Sequence, residues 1–213
     1  MRGAVAAVLA FAAFLALGFG VSGRPPSAFD SGELGVFGTA VAFATVCRAA
    51  GQFPPYAILC ALALVLGLVR RAYQSAAIVL IALMLAIWKV SDAFKVVFHR
   101  TRPEHWLVAH ETTASYPSGH ATLVVAFFGF AAVLAWRSGL AAALRWAVAA
   151  ACVAWIVAIG WSRLALGAHY PTDVLGGYLL GGAGLCCALL VYDRTRGRVI
   201  ERIPARTRSR YTR

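Results

Sequence analysis

Polar residues interrupt this chain rarely, and where they do they come in groups. Between the groups lie apolar runs: Gly3 to Val21, Pro55 to Val69, Tyr73 to Phe98, Gly119 to Trp136, Leu140 to Trp161 and Val174 to Tyr192. As a helix the first run would be about 28 Å long, enough to cross the hydrocarbon core of a bilayer. A further segment, Gly32 to Gln52, is apolar but rich in Gly and Thr, and "GQFPPY" parts it from the next run. The pattern predicts an all-α polytopic membrane bundle of six transmembrane helices plus one short interfacial or re-entrant helix. The opening "MR" resembles the charged start of a signal peptide. The run behind it is long for such a signal and no convincing small-x-small cleavage site follows, so it is read as a retained span.

Composition agrees: 61% of residues are hydrophobic, 13% are charged, and the mean hydropathy is +0.75. A soluble domain carries about twice that charged fraction. Residues 1–193 are read as one membrane domain and residues 194–213 as a basic tail, which holds eight of the twenty Lys and Arg residues. Such a run also suits nucleic acid. It follows a span directly, however, where basic residues mark the cytoplasmic side and meet anionic headgroups. Membrane lipids are the expected partner, and nucleic acid is not. The five cysteines all fall in apolar stretches without a CxxC pair or a zinc or disulfide spacing, and are read as packing residues.

With six spans, Arg2, Arg70, Arg71, Arg137, Arg145 and the tail share one face, the cytoplasmic one. The loops from His99 to Tyr116 and from Ser162 to Asp173 then lie outside, although they carry Arg100, Arg102 and Arg163. Cations on the unexpected side suggest function. Three segments deliver them there: "KVVFHRTRP", with Lys95 seven residues before Arg102 and Pro103 closing the helix; "PSGH" at Pro117 to His120; and "SR" at Ser162-Arg163, followed by His169 and Asp173.

Phosphoryl transfer needs such a set. Lys95, Arg102 and Arg163 supply fixed cations for a phosphate dianion. Ser118 and Gly119 start a helix, whose free N–H groups and positive dipole end form an anion cradle. One imidazole can attack phosphorus if a carboxylate holds its tautomer, and Asp173 is spaced to do that for His169. A second can protonate the leaving oxygen, and His120 is the other histidine in the set. Carboxylates are too few to hold magnesium.

The order K-x6-R-P, P-S-G-H, S-R-x5-H-x3-D resembles the three-part signature of the type 2 phosphatidic acid phosphatase superfamily, matched here from the third span to the sixth. The resemblance implies a six-helix membrane fold and an active site at the outer leaflet that uses no metal or cofactor. It also implies a phosphohistidine on His169, with His120 as general acid and then activator of water. The expected substrate is a lipid phosphate or diphosphate taken from the bilayer: undecaprenyl diphosphate first, phosphatidic acid or phosphatidylglycerol phosphate next, in a bacterial inner membrane. A lipid phosphotransferase and a non-enzymatic scaffold are the alternatives. Vanadate-dependent haloperoxidases share the motifs but are expected to be soluble. Lys89 and Asp92 are read as an i,i+3 ion pair facing the bundle interior. His99, His105 and His110 are read as solvated loop residues, while Glu104 and Glu111 could order the loop or touch a headgroup.

Overall fold

The structure, a computed structural model, describes residues 2–31, 36–104, 106–108 and 111–201. Residues 32–35, His105, His110 and the tail from Arg202 onward, all read above, lie outside the described residues. Every regular element described is helical: α1 (Arg2–Val21), a one-turn α2 (Ala28–Ser31), α3 (Val41–Ala50), α4 (Phe53–Val69), α5 (Gln74–Phe98), α6 (Gly119–Trp136), α7 (Ala142–Ala165) and α8 (Pro171–Glu201). The spans containing α1, α5, α6, α7 and α8 are each long and apolar enough to cross a membrane. Helices α3 and α4, bent by 47° at Gly51 and Gln52, pass the same test only as a pair, the shape of a broken span or of a re-entrant loop. Pro54 and Pro55 follow in the first turn of α4, where a missing N–H removes no helical bond. The segment before the break, α3, is ten residues long, too short to cross a bilayer alone.

Helix α8 is the axis, packed against α1, α5 and α6; α7 leans on α6, and α3 on α7. Gly177 and Gly181, one helical turn apart, let the α8 main chain touch that of α6. A methyl group on Gly177 would stand 2.6 Å from the Ser118 carbonyl oxygen, and one on Gly181 2.5 Å from that of Thr122. This is the small-xxx-small packing of membrane helices. At the far end Gly3 faces Leu190, and Arg137 pairs with Asp193 at 2.6 Å. The basic helix ends therefore gather at one end of the bundle, and the loops carrying the motifs at the other.

Two expectations need correction. Lys89 and Asp92 form no ion pair and are both exposed; the Lys89 ammonium instead lies 4.4 Å from the centre of the Trp88 ring. The interior face of α5 is occupied by Leu80, Leu83, Ile87 and Ser91, which leaves the two charges on its outward face. Pro103 does not close α5 either. The helix ends at Phe98, turned by His99 in a left-handed conformation (φ 47°), and Pro103 lies beyond it in the loop.

Candidate active site

Ser162 and Arg163 occupy the last turn of α7, which a glycine then terminates. Gly167 is left-handed (φ 68°) and its N–H donates to the Leu164 carbonyl, while the Ala168 N–H donates to that of Arg163. These two bonds form the Schellman closure, for which glycine is the least strained residue. The reversal places His169 just ahead of α8. Pro171 opens that helix, and Asp173 Oδ2 accepts the N–H of Tyr170 at 2.9 Å, the carboxylate half of a capping box.

Two sides of the His169 ring face different chemistry. Nδ1 lies 3.6 Å from Asp173 Oδ2, beyond direct hydrogen-bond range. The Ser115 hydroxyl sits between, donating to that oxygen at 2.5 Å and standing 3.4 Å from Nδ1. Nε2 lies 3.1 Å from an Arg102 NH1 group. A guanidinium only donates, so Nε2 is the acceptor and the ring proton sits on Nδ1, toward Asp173. Burial, opposed by the Asp173 carboxylate and aided by Arg102, lowers the His169 pKa to about 4. The imidazole is therefore neutral at pH 7.

A pH effect follows. Below pH 6.5 the unfolded chain takes up a proton on His169 that the folded chain refuses until about pH 4, so stability falls as pH drops through that window. Thermal melting should show wild type losing more stability than His169→Gln between roughly pH 6.5 and 4.5. Equal losses would mean that the folded imidazole titrates as a free one.

Arg102 is held on several sides. Its Nε donates to the Thr113 carbonyl (2.7 Å), NH1 to that of Ala168 (3.0 Å), and NH2 to Glu111 (2.8 Å). Lys95 reaches the same loop through the Thr113 hydroxyl at 3.1 Å. Burial alone would raise the Glu111 carboxyl, but Arg102, with His169, His120 and Lys95 nearby, holds it down at about 2. Glu111 is the carboxylate among these cations.

Ser118 caps α6. Its N–H donates to the Asp173 carbonyl (3.0 Å), so what it offers the hollow is its hydroxyl. The N–H groups of Gly119, His120 and Ala121 open the helix and have no intrahelical acceptor. Around them stand buried side-chain atoms without partners: Ser118 Oγ, His120 Nε2, Ser91 Oγ and all three guanidinium nitrogens of Arg163. Arg163 is wholly buried. A lone buried guanidinium is costly, and an anion in the hollow would relieve it.

Lys95, Arg102, Ser118, Gly119, His120, Arg163, His169 and Asp173 thus meet at one end of the bundle. Sequence reasoning missed what stands behind them. The buried Arg100 donates through NH1 to Asp173 Oδ1 (2.5 Å) and the Thr172 hydroxyl (2.6 Å), and through NH2 to Asp30 (2.7 Å). The other Asp30 oxygen accepts from the Thr172 N–H (3.1 Å) and hydroxyl (2.7 Å). Arg100 left a trace in the sequence as a cation on the unexpected side. Asp30, on α2, left none.

Comparison with known proteins agrees with this arrangement. The family profile described as the PAP2 superfamily matches residues 72–196. The lipid A 1-phosphatase of Rhizobium etli is 33% identical over 115 residues, 49% of this chain and 45% of that protein. The chain thus spans less than half the length of that relative. The provisionally named undecaprenyl-diphosphatase YbjG of Escherichia coli K12 is 32% identical over 149 residues, 67% of this chain and 70% of that protein. The crystal structure of a transmembrane PAP2 type phosphatidylglycerolphosphate phosphatase from Bacillus subtilis shares the fold, with a TM-score of 0.75 at 22% identity over 93% of this chain and 98% of that one. The profile spans the four helices α5 to α8 that carry the three motifs into one hollow: the chain belongs to the PAP2 superfamily.

Proposed function

We propose that the chain is an integral membrane phosphatase acting on a lipid phosphate or diphosphate. The observation that carries this reading is the set of buried, unpartnered polar groups around the start of α6, Arg163 above all, within electrostatic reach of His169, whose Nε2 accepts from Arg102. Phosphate oxygens would satisfy them. His169 Nε2 forms a bond to phosphorus as the bond from phosphorus to the lipid oxygen breaks, and His120 delivers a proton to that oxygen. Water then attacks phosphorus, giving a proton to His120; the N–P bond breaks and phosphate leaves. Asp173 orients His169 throughout, by its charge and through the Ser115 hydroxyl between them.

Between α4 and α5 runs an apolar groove lined by Phe53, Tyr56, Cys60, Leu64, Ile81 and Met84, which begins beside the α3–α4 break. It supports a substrate whose tail stays in the membrane. Undecaprenyl diphosphate is the first choice, with phosphatidic acid and phosphatidylglycerol phosphate next; the named activities of the relatives are all on lipid phosphates. The purified chain in detergent, with EDTA present, is expected to release phosphate from at least one of the three. The described residues bring no three His, Cys, Asp or Glu side chains together as a metal site. Loss of turnover in EDTA with recovery in magnesium, or no release from any of the three, would overturn the reading.

The basic helix ends support a bacterial inner-membrane orientation with the tail in the cytoplasm and the hollow outside. Leu107, exposed in the loop at the hollow's end, gives the test. In a background without native cysteines, Leu107→Cys should react with an impermeant thiol reagent added outside intact cells. Reaction from the cytoplasmic side alone would invert the topology.

A further inference from the structure

Lys95, Arg102 and Arg163 are opposed by Glu111, and behind them Arg100 is shared between Asp30 and Asp173. Another cation stands beside them on α3. The inner face of that helix is marked by Ala44, Cys47 and Gly51, at steps of three and four residues. Ala44 packs with Ala165 and Leu166, and Cys47 with Val124 and Ile159. Gly51 comes so near α6 that a methyl group on it would stand 3.0 Å from His120 Cδ2. Arg48 shares this face, four residues after Ala44 and three before Gly51, and is half-buried.

Its Nε is buried without a partner, and among the described residues no carboxylate pairs with it. It lies within electrostatic reach of both His120 and Arg163. A cation inside a membrane-embedded segment, next to a second buried cation, marks a place where an anion belongs. Arg163, Arg102 and the N–H groups at the start of α6 serve one phosphoryl group, which leaves Arg48 for a second.

We propose that Arg48 binds the lipid-proximal phosphoryl group of a diphosphate substrate, the group that departs with the lipid when the terminal phosphorus is transferred. This rests on the phosphatase reading above. Arg48 lies on the His120 side of the hollow, where the leaving oxygen must be protonated. It also precedes the break from which the apolar groove begins. A lipid diphosphate can then lie with its terminal phosphoryl group among Arg163, Arg102 and the α6 N–H groups, its second against Arg48, and its tail along α4.

The test uses the full chain in lipid nanodiscs, wild type against Arg48→Gln and Arg48→Lys. One arm measures kcat/KM on a prenyl diphosphate and on the prenyl monophosphate of the same length. The other measures calorimetric binding of inorganic pyrophosphate and of phosphate. Losing a hydrogen-bonded charge contact, Arg48→Gln should lose about 10- to 100-fold on the diphosphate and on pyrophosphate, and less than about threefold on the monophosphate and on phosphate. Arg48→Lys should recover part of the loss. Equal losses on both pairs of ligands, which a folding defect would also give, or undiminished pyrophosphate binding, would overturn the proposal. If wild type hydrolysed neither lipid but bound pyrophosphate through Arg48, the phosphatase reading would fall and the subsite would stand.

Discussion

Replacing His169 with alanine should leave no covalent phosphoenzyme and reduce turnover to background on every substrate. Nε2 is the buried acceptor beside the Arg102 and Arg163 cations, and no neighbouring group can take its place. Replacing His120 should act differently, because proton delivery matters in proportion to how poor the leaving group is. His120→Ala is expected to lose about 10²–10⁴-fold on a lipid phosphate with an alkyl leaving group, and far less on an aryl phosphate. Trapping the phosphoenzyme with labelled substrate separates the two variants: His120→Ala should still label with the aryl ester, His169→Ala should not. Were the better leaving group to rescue His169→Ala and not His120→Ala, the two roles would have to be exchanged.

The second large effect lies behind the site. Arg100 joins two carboxylates, Asp30 and Asp173, and all three side chains are almost wholly buried. Arg100→Leu would leave two acidic groups facing each other without a cation, a change worth about 3–5 kcal/mol when one partner of a buried pair is removed. Arg100→Lys should rescue little, since one ammonium cannot reproduce the fork that spans both carboxylates and Thr172. Asp30→Ala should be milder, because Arg100 keeps Asp173, and Asp30→Asn milder still, because an acceptor for Thr172 remains. Melting temperature and kcat should follow that order together. An Arg100→Leu protein that melts like wild type would show that the network does not stabilise the fold.

These two predictions divide what the sequence made legible from what it hid. Residues of the three motifs could be found because each lies within a few positions of a helix end, where Pro, Ser and Gly punctuate an apolar run. The start of α6 at Gly119 and of α8 at Pro171 are cases of this kind. Asp30 could not be found that way. It meets Thr172 across 142 positions, and such a contact leaves no periodicity in either segment. Arg48 was hidden for another reason: its helix read as a short interfacial or re-entrant one, so the face it shares with Ala44 and Gly51 had no neighbours to point at. Lys89 and Asp92 were misread because spacing alone does not say which side of a helix meets protein, and the interior side of α5 was already full.

Helix α8 rests on the main chain of α6 at Gly177 and Gly181, with no side chain of its own as a spacer. The gap between the starts of these helices, and so between His120 and His169, is therefore set by atomic radii rather than by rotamers. Bilayers of different thickness are met by tilting helices, and helices in such close contact as α6 and α8 must tilt together. The reacting groups then keep their mutual reach in thin and thick membranes alike, much as a gauge block holds a tolerance while the frame around it flexes.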